Sequence, residues 1–186
     1  VDAYNSRGDI YSIQKQYPQA LADYSKAIQI NPQNVDAYNS RGDIYSIQKQ
    51  YPQALADYSK VIQINPQNAN AYNSRGYIYA IQKQYPQALA DYNKAIQISP
   101  RNANAYSNRG IIYQSQKQYP QALADYNKAI QLDRQNLLAH NNRGLIYYEM
   151  GELNKAMQDW QESISIDSKF AESKLALAVA LFTQGK

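Results

Sequence analysis

Residues 1–34 and 35–68 are one 34-residue sequence written twice, differing only where Ala27 becomes Val61; drifting copies follow over 69–102, 103–136 and 137–170. A unit of this length cannot close a core by itself. It must stack its apolar face on its neighbours, and that is a solenoid. The remainder, 171–186, is half a unit. Function is therefore expected on the surface that stacking creates.

Composition removes several classes of chemistry. The chain has no cysteine and one histidine, so disulfides and a cysteine nucleophile are excluded, and zinc would have to bind His140 and carboxylates alone. The net charge of +4 is spread over fixed positions of the repeat, not gathered into a basic arm for nucleic acid. No apolar run approaches the roughly 18 residues of a membrane span. The chain starts in mid-pattern at Val1, as an excised or processed fragment would, so its compartment is cytoplasmic only by default.

Within each unit, written as phases 1 to 34, two helices are expected. The first covers roughly phases 1 to 14, as in 35–48, with residues of one face at phases 4, 8 and 11. The second begins at Pro18, Pro52, Pro86 and Pro120, because proline suits a first helical turn. It carries Ala20, Tyr24, Ala27 and Ile28 on one stripe and stops near Asn31-Pro32. Asn34, Asn68, Asn102 and Asn136 are placed to cap the following helix. Strand patterns are absent.

These residues resemble the tetratricopeptide repeat (TPR): an aromatic at phase 4, then Gly8, Tyr11, Ala20, Tyr24, Ala27 and Pro32, in phase down the chain. Repeats one and three carry the full set, and repeat two departs at Val61. Repeat four has Arg134 for the proline, and repeat five has His140, Trp160, Ser163 and Ser168. The segment from Ala171 reads as the first helix of a sixth repeat, a C-terminal cap. The Asn-Arg-Gly and Asp-Tyr pairs are similar to arrays common in cyanobacterial proteins. The resemblance implies an all-α, right-handed superhelical solenoid of eleven helices that binds a partner protein and has no catalysis or cofactor of its own.

Of the 19 tyrosines, all but Tyr77 and Tyr148 fall on phases 4, 11, 17 and 24, which reads as packing columns and not as a base-stacking platform. Arg7, Arg41, Arg75, Arg109 and Arg143 recur in step with Asp23, Asp57, Asp91, Asp125 and Asp159, so pairing is expected; an arginine ladder for phosphates is the alternative. Lys15, Lys49, Lys83 and Lys117 stand where the family usually has glycine, as Gly151 does here, and are expected to adopt positive φ. Lys26, Lys60, Lys94 and Lys128 read as a solvated outer face.

In the family the first helices line a concave groove through phases 2, 5, 9 and 12. Carried over residue by residue, the groove is Asp2, Asp36, Asn70, Asn104 and Leu138; Asn5, Asn39, Asn73, Ser107 and Asn141; Asp9, Asp43, Tyr77, Ile111 and Leu145; and Gln114 and Tyr148, beside Ser12, Ser46 and Ala80. Phase 9 turns from carboxylate to apolar along the array. The groove is thus expected to be acidic at one end and greasy at the other, suiting an extended segment that is polar or basic at one end. A clamp for a C-terminal carboxylate needs basic residues at these phases, and they are absent. The aspartates lie on helices without a ligand loop, so no metal site is expected. His140 stands as a packing variant with no nucleophile near it. Two rival readings are an RNA-binding helical-repeat module, which the acidic residues oppose, and a docking or spacer module of a larger catalytic or signalling protein. Open ends, including Leu177, Leu181 and Phe182, are expected to favour head-to-tail self-association.

Overall fold

The computed structural model describes residues 1–183 and is all-helical, with eleven α-helices and no strand among them. It divides into two compact units, Val1–Ser99 and Pro100–Lys186. The first holds α1 (Asp2–Ile13), α2 (Tyr17–Ile30), α3 (Val35–Ile47), α4 (Tyr51–Ile64), α5 (Ala69–Ile81) and α6 (Tyr85–Ile98). The second holds α7 (Ala103–Ser115), α8 (Tyr119–Leu132), α9 (Leu137–Glu149), α10 (Leu153–Ile166) and α11 (Ala171–Thr183). The last three residues of the expected cap, 184–186, lie outside the described residues.

Local chemistry sets the helix ends. Asn34, Asn68, Asn102 and Asn136 each accept the backbone N–H three residues on, at 2.9–3.1 Å, satisfying a donor that the first turn leaves orphaned. The second helices start at the tyrosine before the proline, one residue earlier than the proline signal suggests. The first helices end in a repeated two-bond cap. The Lys15 N–H reaches the Ser12 carbonyl at 2.9 Å and the Gln16 N–H the Tyr11 carbonyl at 2.8 Å, a Schellman motif that recurs through Gly151 and Glu152. Such a cap needs a left-handed residue after the helix, and the four lysines adopt it at φ 58–59°, with Gly151 at 77°.

In each unit every odd helix pairs with the even helix that follows, and every even helix packs on the next odd one. Tyr24, Tyr58, Tyr92, Tyr126 and Trp160 form the fully buried aromatic column, with the alanines of phase 20 against them. Burying a large apolar side chain contributes roughly 1.5–3 kcal/mol. The tyrosines of phases 4, 11 and 17 are only half-buried, edging the core clusters. Two further columns, Ala37, Ala71, Ala105 and Ala139 at phase 3 and Ile44, Ile78, Ile112 and Ile146 at phase 10, are buried although the repeat signature does not single them out. Within a unit they face the even helix of the preceding repeat, as Ala37 and Ile44 do with Ala20, Tyr24 and Ala27. Glycine at phase 8 makes room for the aromatic: a Cβ built on Gly42 would lie 2.9 Å from Tyr58 Cε1.

The arginines pair as expected. Each of the five makes a two-pronged bond through Nε and Nη2 to the aspartate of the helix that follows, at 2.6–2.8 Å. Tyrosine rings of phases 4 and 11 flank the guanidinium, as Tyr38 and Tyr45 do Arg41 at 5.6 and 5.9 Å. Arg41 and Arg75 also donate to Ser25 and Ser59 of the preceding repeat. The ladder is a structural staple, and its cations are consumed internally.

Candidate functional site

Which face of each unit is concave follows from which helices approach one another. In the first unit α1 comes close to α3, and α3 to α5; in the second α7 comes close to α9, and α9 to α11. The even helices do not meet among the described residues. Each unit therefore curves with its odd helices on the inner side.

On that side the expected phases separate into two kinds. Asp2, Asp36, Asn70, Asn104 and Leu138 at phase 2 are exposed, as are Asp9, Asp43, Tyr77 and Ile111 at phase 9, while Leu145 is half-buried. Gln114 is half-buried and Tyr148 exposed. Phase 5 behaves differently. Ser107 and Asn141 are buried, at 2% and 3% exposure, so neither presents a surface to a partner. The cause is that phase 5 turns toward the following repeat. Asn5 donates to the capping Asn34 at 3.3 Å, Ser107 donates to Asn136 at 3.2 Å, and Asn141 accepts from Ser173 at 2.9 Å. Asn5, Asn39 and Asn73 are half-buried. The stripe open to solvent is instead phases 2, 9 and 13, spaced by seven and four as one helix face requires. Ile13, Ile47 and Ile81 at phase 13 are exposed, and the family phases alone do not point to them.

The carboxylates of phase 9 also serve the core. The buried Tyr24 donates its hydroxyl to Asp9 and the buried Tyr58 to Asp43, each at 2.7 Å. Both phenols are raised above their ordinary pKa, chiefly by burial and then by these aspartates. Asp43 is itself raised by desolvation, against the hydrogen bond from Tyr58. In repeat four, where phase 9 is Ile111, Gln114 at phase 12 accepts the Tyr126 hydroxyl at 2.7 Å. A cleft of about 180 Å³ in the first unit is lined by Asp9, Ser12, Ile13, Tyr24, Ser40 and Asp43. A second, of about 350 Å³ in the second unit, is lined by Leu145, Tyr148, Trp160, Glu172, Leu175, Ala176 and Val179.

His140 is 7% exposed and lies in the core wall. Its Nδ1 is 3.4 Å from Asp159 Oδ1 and its Nε2 3.2 Å from the Arg134 carbonyl oxygen, so neither nitrogen faces a reacting group. Among the described residues no three metal-ligating side chains gather, and no helix is long and apolar enough to cross a membrane. Of the end residues, Phe182 is 85% exposed, whereas Leu177 and Leu181 are half-buried, Leu177 against the cluster of Ala156, Trp160 and Ala180.

This geometry belongs to a class of helical-repeat proteins built for surface recognition. A family profile described as TPR repeat matches residues 8–48, 42–82, 76–117 and 144–185, and one described as tetratricopeptide repeat matches 103–136. The chain belongs to the tetratricopeptide-repeat family, whose fold in general supports non-catalytic scaffolds for protein interaction. No curated protein matches the sequence significantly. Among solved structures, Pseudomonas aeruginosa pilF is 23% identical, with a TM-score of 0.87 over 99% of this chain and 85% of its own. TTC0263, a thermophilic TPR protein of Thermus thermophilus, is 20% identical, with a TM-score of 0.76 over 97% of this chain and 98% of its own. YrrB, described as a TPR protein with an unusual peptide-binding site, is 20% identical, with a TM-score of 0.69 over 93% and 89%. At these identities the likeness concerns the fold.

Proposed function

We propose that the chain is a protein-interaction scaffold that binds an extended segment of a partner along the inner faces of its odd helices. The segment is polar or basic where it meets Asp2, Asp9, Asp36 and Asp43, and apolar where it meets Tyr77, Ile111, Leu138, Leu145 and Tyr148. One observation carries the reading. Down the repeats the arginine, glycine and aspartate of phases 7, 8 and 23 do not change, whereas the inner phase 9 runs Asp, Asp, Tyr, Ile, Leu. Drift of this kind at inner positions is what a surface adapted to an asymmetric ligand requires. A peptide-binding site in YrrB, a protein of like fold, is consistent with it. A role as the docking module of a longer polypeptide is the same reading in a larger chain.

The test is a pull-down with the isolated chain, followed by binding measurements on groove variants. Asp9→Asn with Asp43→Asn keeps an acceptor for each buried tyrosine but removes the charge, and should weaken a basic partner at low ionic strength far more than at physiological salt, where screening sets in beyond about 8 Å. Tyr77→Ala with Ile111→Ala should weaken it at any salt, since desolvated apolar anchors dominate interfaces. A partner indifferent to all four changes, yet lost on neutralising Lys26, Lys60 and Lys94, would move the site to the outer surface. Tight retention of random RNA on a filter at low salt would favour the nucleic-acid reading instead.

A further inference from the structure

The two inner clefts occupy one and the same place in the repeat, so each serves as a control for the other. Asp9, Ser12 and Tyr24, with Ser40 and Asp43 of the next repeat, line the first. Leu145, Tyr148 and Trp160, with Ala176 and Val179 of the next, stand at the corresponding phases of the second. Three polar positions, Asp9, Ser40 and Asp43, have become Leu145, Ala176 and Val179 around a single point, and the other two, Ser12 and Tyr24, have become the larger aromatics Tyr148 and Trp160. Ordinary packing does not ask for this, because the copy at repeats one and two fills the same place with tyrosine hydroxyl and carboxylate.

The floor of the second cleft presents no polar atom of the core. Trp160 is 1% exposed, and its indole N–H is turned away to the Asn141 carbonyl at 3.3 Å, so the ring offers the cleft no polar atom. Tyr148 lies against it, with ring centroids 5.8 Å apart. Leu175 and Val179 complete the walls and are 69% and 46% exposed. The one charge in the lining is Glu172, exposed and with no ion-pair partner among the described residues.

We propose that this cleft takes one bulky aliphatic or aromatic side chain of the partner segment, and that Glu172 receives a lysine or arginine lying within two residues of it. The proposal rests on the groove reading and specifies its apolar end. Charge complementarity decides the occupant: an unpaired carboxylate beside an apolar cleft repels an acidic segment and favours a basic one. The volume, about 350 Å³, suits an anchor residue with its immediate neighbours and not a flat protein face.

A random dodecapeptide display library panned on the intact chain tests this. Enriched peptides should share a large apolar residue with Lys or Arg within two positions, and titration of such a peptide should shift the emission of Trp160, the only tryptophan. Leu145→Asn with Val179→Asn should weaken binding at least about tenfold, a loss of roughly 1.4 kcal/mol. Glu172→Lys, at an exposed position that leaves folding intact, should remove the basic preference while keeping the apolar one. The proposal is overturned if the enriched peptides lack that pairing, if Trp160 emission does not respond, or if Glu172→Lys leaves the basic preference unchanged. Peptides that respond instead to Asp43 and Tyr77 variants would overturn the cleft and leave the groove standing. Enrichment of no peptide, or only of peptides that respond to Lys60 and Lys94, would overturn both.

Discussion

The interhelical turns give the sharpest quantitative test of the fold. Lys15, Lys49, Lys83 and Lys117 sit at φ 58–59°, where a residue with a Cβ costs roughly 1–2 kcal/mol relative to its usual conformation. Glycine removes that cost but returns about 0.5–1 kcal/mol through its freer unfolded chain. Each Lys→Gly substitution should thus gain about 0.5–1 kcal/mol over the matching Lys→Ala. Alanine is the correct comparison because it, too, removes the cation near the helix C-terminus, a favourable dipole interaction of about 0.3–1 kcal/mol, while keeping the strain. The four turns are 34 residues apart, so their effects should add to roughly 2–4 kcal/mol between the fourfold glycine and fourfold alanine chains. For a chain of this size that separates the melting temperatures by about 4–16 °C.

Repeat five supplies the reverse experiment. Gly151 has φ 77°, and a Cβ built there would meet nothing within 4 Å, so Gly151→Ala carries a conformational cost and no steric one. It should destabilise by about 1 kcal/mol. Melting followed by far-UV circular dichroism measures both. Equal midpoints for the fourfold glycine and alanine chains, together with no loss in Gly151→Ala, would refute the claim that these turns are strained.

Other consequences follow from the packing. Gly42→Leu and Ala54→Leu should each cost roughly 1–3 kcal/mol by overpacking against Tyr58 and its surroundings, while Lys60→Ala, on the outer face, should stay within about 0.5 kcal/mol; three equal denaturation midpoints would contradict the phase assignment. Arg75→Ala strands the buried Asp91 and should cost about 3–5 kcal/mol, with a smaller loss when both residues are replaced by alanine. Asp159 is pushed up by burial but held below the ordinary carboxylate value by Arg143 and His140, and Asp23 is held down by Arg7. A lowered folded pKa gives stability that is fully present above the ordinary value and is lost as pH falls through the folded one, so in melts the contribution of Asp159 and Asp23 should hold from neutrality to about pH 4 and decline below it, while Asp43, whose folded pKa is raised, contributes a gain as pH falls through its own. The exposed Ile10 and Phe182 leave apolar surface at the two end helices, and we propose head-to-tail association of the 186-residue chain; monomeric sedimentation at high concentration would count against it.

What the sequence discloses, it discloses through repetition. Five copies in register make the helix pairs, the asparagine caps, the strained lysines and the arginine–aspartate staples readable, since each demands a fixed residue at a fixed phase. The buried phases 3 and 10 are harder to see because alanine and isoleucine there face the preceding repeat, and a pattern read within one unit does not contain that neighbour. Phase 5 misleads for the mirror reason. Its amide looks free on an isolated helix but turns into the cap of the following repeat, as Asn5 does toward Asn34. Leu175, Ala176 and Val179 escape notice because the groove phases run through five repeats and are not carried onto α11.

The aromatic column links core and groove more tightly than the repeat signature implies. In repeats one, two and four the phase 24 tyrosine hydroxyl emerges on the inner face and finds an acceptor in Asp9, Asp43 and Gln114. Polar groove residues at those places are therefore partly dictated by the core. Trp160 has no hydroxyl, and its N–H is satisfied by backbone, so phases 9 and 12 of repeat five are free to become Leu145 and Tyr148. The coupling is measurable. Trp160→Tyr should destabilise more than loss of ring area alone predicts, because its hydroxyl would lie beneath Leu145, and an unsatisfied buried polar group costs about 1–3 kcal/mol. Adding Leu145→Asp restores the pairing of repeats one and two and should recover part of that loss, although Leu145→Asp by itself should not stabilise. A double-mutant cycle with no coupling between the two positions would separate the core from the groove and leave the apolar cleft without a structural origin.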